Sequence, residues 1–406
     1  MRVLQINAVY NLSSTGRTTT ELHKALLEKG HESYVAYSKT NKPDDENLYK
    51  IGSLLDCKIH ALLSRITGKQ GYYSHIPTLK LLKYMDKIKP DIVHLRNLHG
   101  NYINIPMLLK YLAKNRISTV ITLHDFFFIT GKCVHFFSGE CNKWQSHCEK
   151  CPNLDNGNIT WVFDRTSEMF RDKKELLSAI PHLTFVGVSK WTADEAKKSP
   201  IAASSDEVMY IYNWIDLSRF TQKDSDLIKK EKGFENKFVI LGVASGWGEK
   251  RKKVDDFIEL AERLPDDSRI VLVGNMPEKI KLPENVVSVG ATNSVDELID
   301  YYNMADVFLT VSLAETFGKV SAEALACGTP VVCYNSTANP EIVGEKCGYV
   351  VEENDLDGVM SAVNEIKSNG KAYYSEHCIA YAHENFDKDK NIEKYIELYK
   401  KLMEKK

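Results

Sequence analysis

Apolar runs of strand length alternate with segments of helical periodicity along most of the chain, the arrangement of α/β proteins with mainly parallel sheets. In the first half the runs predict strands at Val3–Ala8, Ser33–Tyr37, Asp91–Leu95, Ser118–Leu123, Leu183–Val188 and Val208–Ile211. Helices are predicted around Thr18–Glu28, Thr78–Lys87, Ile105–Lys114, Arg171–Ala179 and Trp191–Lys197. One stretch, Phe126–Trp161, breaks the rhythm and holds four cysteines. Residues 219–237 are polar without an apolar period and read as a linker or a charged surface helix. The rhythm then restarts. Strands are predicted at Phe238–Val243, Arg269–Val273, Val286–Val289, Val307–Val311, Pro330–Cys333 and Tyr349–Val351. Helices fit Asp255–Arg263, Val295–Asn303, Val320–Ala326, Leu356–Lys367 and Ala372–Asn385, and an amphipathic stretch, Asn391–Glu404, follows.

This pattern predicts an α/β fold of two consecutive doubly wound, Rossmann-like domains, residues 1–218 with the insertion 126–161 and residues 219–385. Ligands of such sheets bind beyond the carboxyl ends of the strands, so two facing domains make a cleft. The 406 residues suit two or three domains, and 43% hydrophobic with 27% charged residues excludes disorder, collagen and a coiled-coil rod. No stretch approaches the roughly 20 apolar residues of a membrane span, and the opening MRVLQINAVYNLSS lacks the features of a signal peptide. The expected location is therefore cytoplasmic. Nine cysteines are too sparse for a disulfide scaffold. The net charge of −2 divides into +6 over residues 1–218 and −8 over residues 219–406. A basic first half suits an anionic acceptor or peripheral contact with an anionic membrane, and nucleic acid is not an expected partner.

The strongest chemical signal is Glu315-Thr316-Phe317-Gly318-Lys319-Val-Ser-Ala-Glu323, with Gly328-Thr-Pro330 closing the helix that follows. A strand, a glycine turn and a helix start present free N–H groups beside the positive end of a dipole, suited to a diphosphate. Glu315 precedes the helix and Glu323 lies about two turns inside it, so the two reach one ligand from different directions. The bland alternative is an ordinary helix with two surface glutamates. The segment resembles the E-x7-E signature of retaining glycosyltransferases of family 4, which have the GT-B fold. The resemblance runs along nearly the whole chain, through the Gly16 loop, His124-Asp125, Val188-Ser189, Asn213-Trp-Ile-Asp216 and the Lys252 region. It implies that Glu315 contacts the transferred sugar near its anomeric centre and Glu323 the ribose hydroxyls. Thr316, Phe317, Gly318 and Lys319 then belong to the donor site. It also implies that residues 386–406 form a helix returning to the first domain, and that hinge closure brings His124 toward Glu315.

Four further segments carry chemistry. In Asn11-Leu-Ser-Ser-Thr15-Gly16-Arg17, Gly16 permits close backbone approach ahead of a helix, although a dinucleotide fingerprint is lacking and a capped helix start explains it as well. His124 ends an apolar strand; by the resemblance it touches the donor hexose, and it could stabilise charge in an oxocarbenium-like transition state. Arg96, Asn97 and His99 end another strand and are candidates for acceptor binding, with a purely structural role favoured. In Ser245-Gly-Trp247-Gly-Glu249-Lys250-Arg251-Lys252-Lys253 the clustered cations suit a diphosphate leaving group without a metal. The family pattern has an Arg about six residues before a Lys-Gly pair. Here Lys252 matches the Lys, Gly246 stands where the Arg would be, Lys253 replaces the Gly, and Arg251 is the candidate substitute.

Within the insertion, Cys133-x7-Cys141-x6-Cys148-x2-Cys151-Pro152 leaves two readings open, a structural zinc held by four thiolates or reduced, unligated thiols. His135 and His147 are candidate replacements for a cysteine ligand. The resemblance extends here too, and implies that some relatives share the pattern HD…TG.C…C…C..CP. The two Asp-x-Asp triplets, Asp355–Asp357 and Asp387–Asp389, fall at predicted helix starts and read as caps rather than as a cation site.

The function these readings imply is a retaining hexosyltransferase, metal-independent in its catalysis. It would move a hexose from a UDP- or GDP-linked nucleotide-sugar to a glycan or lipid-linked saccharide in capsule, O-antigen or exopolysaccharide synthesis. A sugar-nucleotide epimerase or an inverting transferase on the same fold is the enzyme alternative, separated by the product anomer. A non-catalytic nucleotide-sugar-binding protein is the alternative of another class, separated by a thermal shift without turnover.

Overall fold

The computed structural model describes residues 1–40, 46–135, 141–155 and 157–405. The chain forms two compact units, one of Met1–Ile211 with Ile392–Lys406, the other of Tyr212–Asn391. The first unit ends at Ile211 rather than at residue 218 because the residues after it pack on the second. The Tyr212 ring contacts Phe317 and Phe386, and the Ile215 amide donates to the Phe386 carbonyl at 2.8 Å.

The first unit is built on seven parallel strands: β1 (Arg2–Tyr10), β2 (Glu32–Thr40), β3 (Leu48–Lys50), β4 (Ile92–Leu95), β5 (Ser118–Leu123), β6 (Leu183–Gly187) and β7 (Glu207–Tyr210). Their order is β3-β2-β1-β4-β5-β6-β7. Leu4, Ile6, Val93, Leu95, Ile121, Leu123 and Phe185 form the centre of its core. Burial of both sheet faces is why these strands read as near-continuous apolar runs. The last helix, Lys388–Glu404, belongs to this unit from Ile392 onward. Tyr399 Oη lies 2.6 Å from His94 Nδ1, and Tyr395 Oη lies 2.9 Å from Thr122 Oγ1, both in buried surroundings. Two features of this unit went unanticipated, the three-residue β3 and a full helix, Leu54–Thr67.

The second unit has six parallel strands: β8 (Phe238–Gly246), β9 (Ser268–Asn275), β10 (Val286–Gly290), β11 (Val307–Thr310), β12 (Val331–Tyr334) and β13 (Gly348–Val351). Their order is β10-β9-β8-β11-β12-β13. The polar stretch before β8 contains a helix, Ser225–Lys232, capped by Asp224 and ended by Gly233 in the left-handed conformation. The Asp-x-Asp triplets serve as caps. Asp355 accepts from the Gly358 amide at 2.9 Å, and Asp387 from the Lys390 amide at 2.8 Å. Among the described residues no helix is long and apolar enough to cross a membrane.

Candidate functional site

Each sheet reverses its winding once. In the second unit the chain runs outward from β8 through β9 to β10, then returns to β11 on the other side of β8. The crevice beyond the carboxyl ends of β8 and β11 is therefore a topological switch point, where helices depart to opposite faces and backbone groups are left for a ligand.

The loops that follow these two strands bring Lys252 and Glu315 together. Lys252 Nζ lies 2.5 Å from Glu315 Oε1, with the two side chains 15% and 20% exposed. Ser312 Oγ donates to the same carboxylate oxygen at 2.9 Å, and the Glu315 amide donates to Thr337 Oγ1 at 2.9 Å. Arg251 joins the arrangement through its backbone: its carbonyl accepts from the Leu313 amide at 3.0 Å while its guanidinium pairs with Glu249 at 2.5 Å. Lys253, which stands where the family pattern has glycine, holds φ 52°. That left-handed conformation is the physical reason a glycine suits the position.

Gly318, at φ 86°, opens the helix Lys319–Ala326, and no side chain caps that helix. Thr316 and Lys319 are half-buried beside it. Phe317, expected in the donor site, has a buried ring packed between Tyr212 and Phe386, so its side chain serves the core and only its backbone faces the turn. Glu323, four residues past Lys319 and so about one turn into the helix rather than two, is likewise buried, at 7% exposure, and accepts from Tyr302 Oη at 2.8 Å. Burial and the Glu323 carboxylate raise the Tyr302 phenol well above its ordinary range, which keeps it a donor.

In the first unit the switch point lies between β1 and β4. The helix after β1 starts at Ser13, so Gly16 sits inside its first turns rather than in a loop ahead of it. A Cβ at Gly16 would stand 3.2 Å from the Asn11 nitrogen and 3.3 Å from Val9 Cγ2, so close approach accounts for this glycine. Arg96, just past β4, is buried and donates to Thr18 Oγ1 at 3.0 Å. The same nitrogen lies 3.3 Å from His124 Nε2, just past the neighbouring strand β5. Nη1 of an arginine can only donate, so His124 Nε2 is the acceptor and the imidazole is neutral. Burial and then the Arg96 charge lower the His124 pKa to about 3. Arg96 Nε and Nη2 are buried without a hydrogen-bond partner among the described residues.

Asn97 and His99 are largely committed to the scaffold. The Asn97 carbonyl accepts from the Ala8 amide and Tyr102 Oη, and its amide donates to Asn7 Oδ1. His99 Nε2 pairs with Asp125 Oδ2 at 2.9 Å. Burial pulls the His99 pKa down, but the Asp125 charge and hydrogen bond outweigh it and the net shift is upward.

Cys133, Cys141, Cys148 and Cys151 all line one cavity of about 20 Å³. Cys148 Sγ accepts from the Gly131 amide at 3.2 Å. The hydrogen bond shared by Cys133 and Cys151 lowers the Cys151 thiol below its ordinary range and raises that of Cys133. His147 is exposed beside Glu149, 3.5 Å away, and His135 is half-buried. Among the described residues no group of three or more His, Cys, Asp or Glu side chains is placed to hold a metal ion as it stands.

Residues 15–219 match the model of Glycosyltransferase Family 4, and residues 224–385 match that of Glycosyl transferases group 1. The chain belongs to glycosyltransferase family 4. WcaC of Escherichia coli (strain K12), whose name assigns it to colanic acid biosynthesis as a glycosyl transferase, is 23% identical over 374 residues, 88% of each chain. Sucrose-phosphate synthase from Thermosynechococcus elongatus superimposes with a TM-score of 0.70 over 100% of both chains at 14% identity. HepE from Anabaena, solved with UDP, superimposes with a TM-score of 0.66 over 98% of this chain and 99% of its own, at 15% identity. The fold of this family 4 chain is GT-B, two Rossmann-like units.

Sequence reasoning did not find Ser312, Thr337 or Tyr302, which fix the two glutamates. Thr337 reaches Glu315 from the loop after β12, which only strand order brings near, whereas Ser312 bonds Glu315 three residues on within one loop and carries no distinctive local signal. Tyr302 looks like any apolar residue of an amphipathic helix, and only its partner Glu323 gives its hydroxyl a meaning.

Proposed function

We propose that this family 4 chain is a retaining hexosyltransferase, using a UDP- or GDP-linked sugar to extend a glycan or lipid-linked saccharide during polysaccharide assembly. The observation that carries this reading is the Lys252–Glu315 contact at the switch point of the second unit. It sets a cation and a carboxylate beside the uncapped helix that starts at Lys319. Nucleotide diphosphate is the ligand that chemistry suits, since amides and an ammonium neutralise its oxygens and a carboxylate can grip a sugar hydroxyl. The naming of WcaC supports the polysaccharide context, and the UDP bound by HepE supports the donor class.

In this mechanism Lys252 and the first-turn amides after Gly318 take the diphosphate as charge develops on its leaving oxygen. Arg251 stands in for the family's arginine. Glu315, released from Lys252 by the incoming phosphates, orients the hexose and stabilises positive charge at its anomeric carbon. Glu323, steadied by Tyr302, holds the ribose hydroxyls. The neutral His124 keeps its proton on Nδ1, since Nε2 accepts from Arg96. The leaving phosphate accepts the proton of the acceptor hydroxyl on the same face, so configuration is retained without a protein nucleophile. The cations supply the neutralisation, so no divalent metal is needed for transfer.

Screening nucleotide-sugars for nucleotide release identifies the donor, and anomer analysis of the product tests retention. Glu315→Ala is expected to abolish release while the protein melts as a folded chain. Release unchanged in Glu315→Ala, or an inverted product, overturns the mechanism.

A further inference from the structure

The helix Leu54–Thr67 is amphipathic in the wrong sense for a core helix. Its fully buried side chains are the polar His60 and Ser64. His60 Nδ1 meets Ser74 Oγ at 2.8 Å, and Ser64 Oγ donates to the Lys69 carbonyl. The stripe Leu55, Ile59, Leu62 and Ile66, spaced for one helical face, is instead 40–66% exposed. Burial therefore does not explain these leucines and isoleucines.

The apolar face continues onto a second segment. The Trp161 amide donates to the Arg65 carbonyl at 2.7 Å, and the Arg65 guanidinium lies 5.7 Å from the centre of the Trp161 ring. Gly68, which ends the helix, abuts the Phe163 carbonyl. Trp161, Val162 and Phe163 follow one another at 59%, 63% and 49% exposure. Three consecutive large apolar side chains in solvent, next to an apolar helical stripe, make a patch of the kind that marks an interaction surface.

Charge selects the partner. Between Leu54 and Lys89 the sequence has seven Lys or Arg against two Asp or Glu, a net +5. Lys58 lies on the edge of the exposed stripe, one residue from Ile59. A second copy of this chain would set Lys58 and Arg65 of this helix against the same two cations, whereas an anionic bilayer offers both an acyl interior for the apolar residues and negative headgroups for the cations. We infer that the helix Leu54–Thr67 and the loop Trp161–Phe163 form a membrane-docking face that lies in the headgroup region of an anionic bilayer. Trp161 is the interfacial aromatic, amphipathic enough to sit at headgroup depth. The inference does not depend on the proposed sugar transfer, since none of these residues belongs to the donor site.

Flotation with vesicles of phosphatidylethanolamine containing roughly a quarter phosphatidylglycerol tests it, against vesicles of phosphatidylcholine alone. The wild-type chain is expected to float with the anionic vesicles and to be released as salt rises toward about 0.5 M. Ile59→Glu/Leu62→Glu and Trp161→Ala/Phe163→Ala are each expected to weaken binding by roughly tenfold or more. Both pairs are exposed, so melting temperature and nucleotide release should stay at wild-type values. No flotation of the wild type, or flotation undiminished in both variants, overturns the inference. A dimer in sedimentation that Ile59→Glu/Leu62→Glu dissolves, with no vesicle binding, assigns the face to a second copy and overturns it as well.

Discussion

Replacing Lys252 by Met separates what the Lys252–Glu315 pair does for stability from what it does for the donor. Opposite charges about 4 Å apart at an effective dielectric of about 20 attract by about 4 kcal/mol before desolvation and ordering are subtracted. Exposed pairs retain about 0–1 kcal/mol of this, while breaking a fully buried pair costs about 3–5 kcal/mol. With side chains 15% and 20% exposed, and Ser312 still donating to Glu315, the pair falls between those limits. Lys252→Met should therefore destabilise the protein by about 1–2 kcal/mol.

The effect on transfer should be larger. If Lys252 neutralises the leaving diphosphate, its loss removes a transition-state contact, and turnover falls by about 10²–10³. Glu315→Gln should cost a similar factor. Because the two act on one substrate, the double variant should lose little more than either single one. The assay is nucleotide release at saturating donor, with urea unfolding of all four proteins to close the thermodynamic cycle. Wild-type turnover in Lys252→Met, or rate losses that multiply in the double variant, would refute the reasoning. A coupling in stability below about 0.3 kcal/mol would refute the pair itself.

Arg96→Met removes a buried cation with two unpartnered nitrogens; it should leave stability within about 1 kcal/mol of wild type or raise it, while transfer falls because His124 loses the donor that fixes its tautomer. Acid should destabilise the first unit, since burial lowers His60 to about 4, His124 to about 3 and His94 well below its ordinary value. Each takes up its proton in the unfolded chain near pH 6.5 and in the folded chain only much lower. Stability is therefore full above that pH and falls by up to about 1.4 kcal/mol per pH unit per histidine as pH drops below it. The raised His99 acts in a different window: it adds stability as pH falls toward about 6.5 and gives no slope below it, so urea midpoints measured from pH 7.5 to 5 should hold or rise slightly at first and then fall with the slope of about three histidines. A flat profile would refute the burial of these rings. Lys253→Gly relieves the left-handed residue and should add about 0.5–1 kcal/mol in urea unfolding; a loss would show that the Lys253–Asp256 contact at 3.0 Å outweighs the strain. For the four cysteines the metal content of the purified protein decides between the two readings: about one zinc per chain, lost in Cys151→Ser, assigns a structural site. Well under one zinc per chain leaves four reduced thiols.

Strand positions were legible because a parallel sheet covered on both faces leaves unbroken apolar runs, and Ser118–Leu123 has the same bounds in sequence and structure. The three-residue β3 is too short and too exposed to leave such a run. The helix Leu54–Thr67 was missed for a different reason. A reading that looks for apolar residues turned toward a core has no place for a helix that buries His60 and Ser64. Its capping box, Ser53 with Asp56, and its Gly68 terminus were the available local signals.

The candidate site was legible in its members and illegible in its contacts. Glu315, Lys252, His124 and Arg96 each lie a few residues past the carboxyl end of a strand, where the ladder no longer uses the backbone and a polar side chain can face a ligand. Local sequence can show that much. Whether two such ends are neighbours depends on strand order, and order depends on which way each crossover turns. Nothing in residues 246–252 distinguishes a β8 that borders β11 from one that does not. The Lys252–Glu315 contact exists because the chain, after laying down β9 and β10, returned to the opposite edge of β8. The same reversal between β1 and β4 carries Arg96 to Thr18 in the helix after β1, and its contact with His124 follows from β5 lying next to β4. A substitution that preserves every local motif but disturbs either reversal should therefore abolish the site without changing a single residue in it.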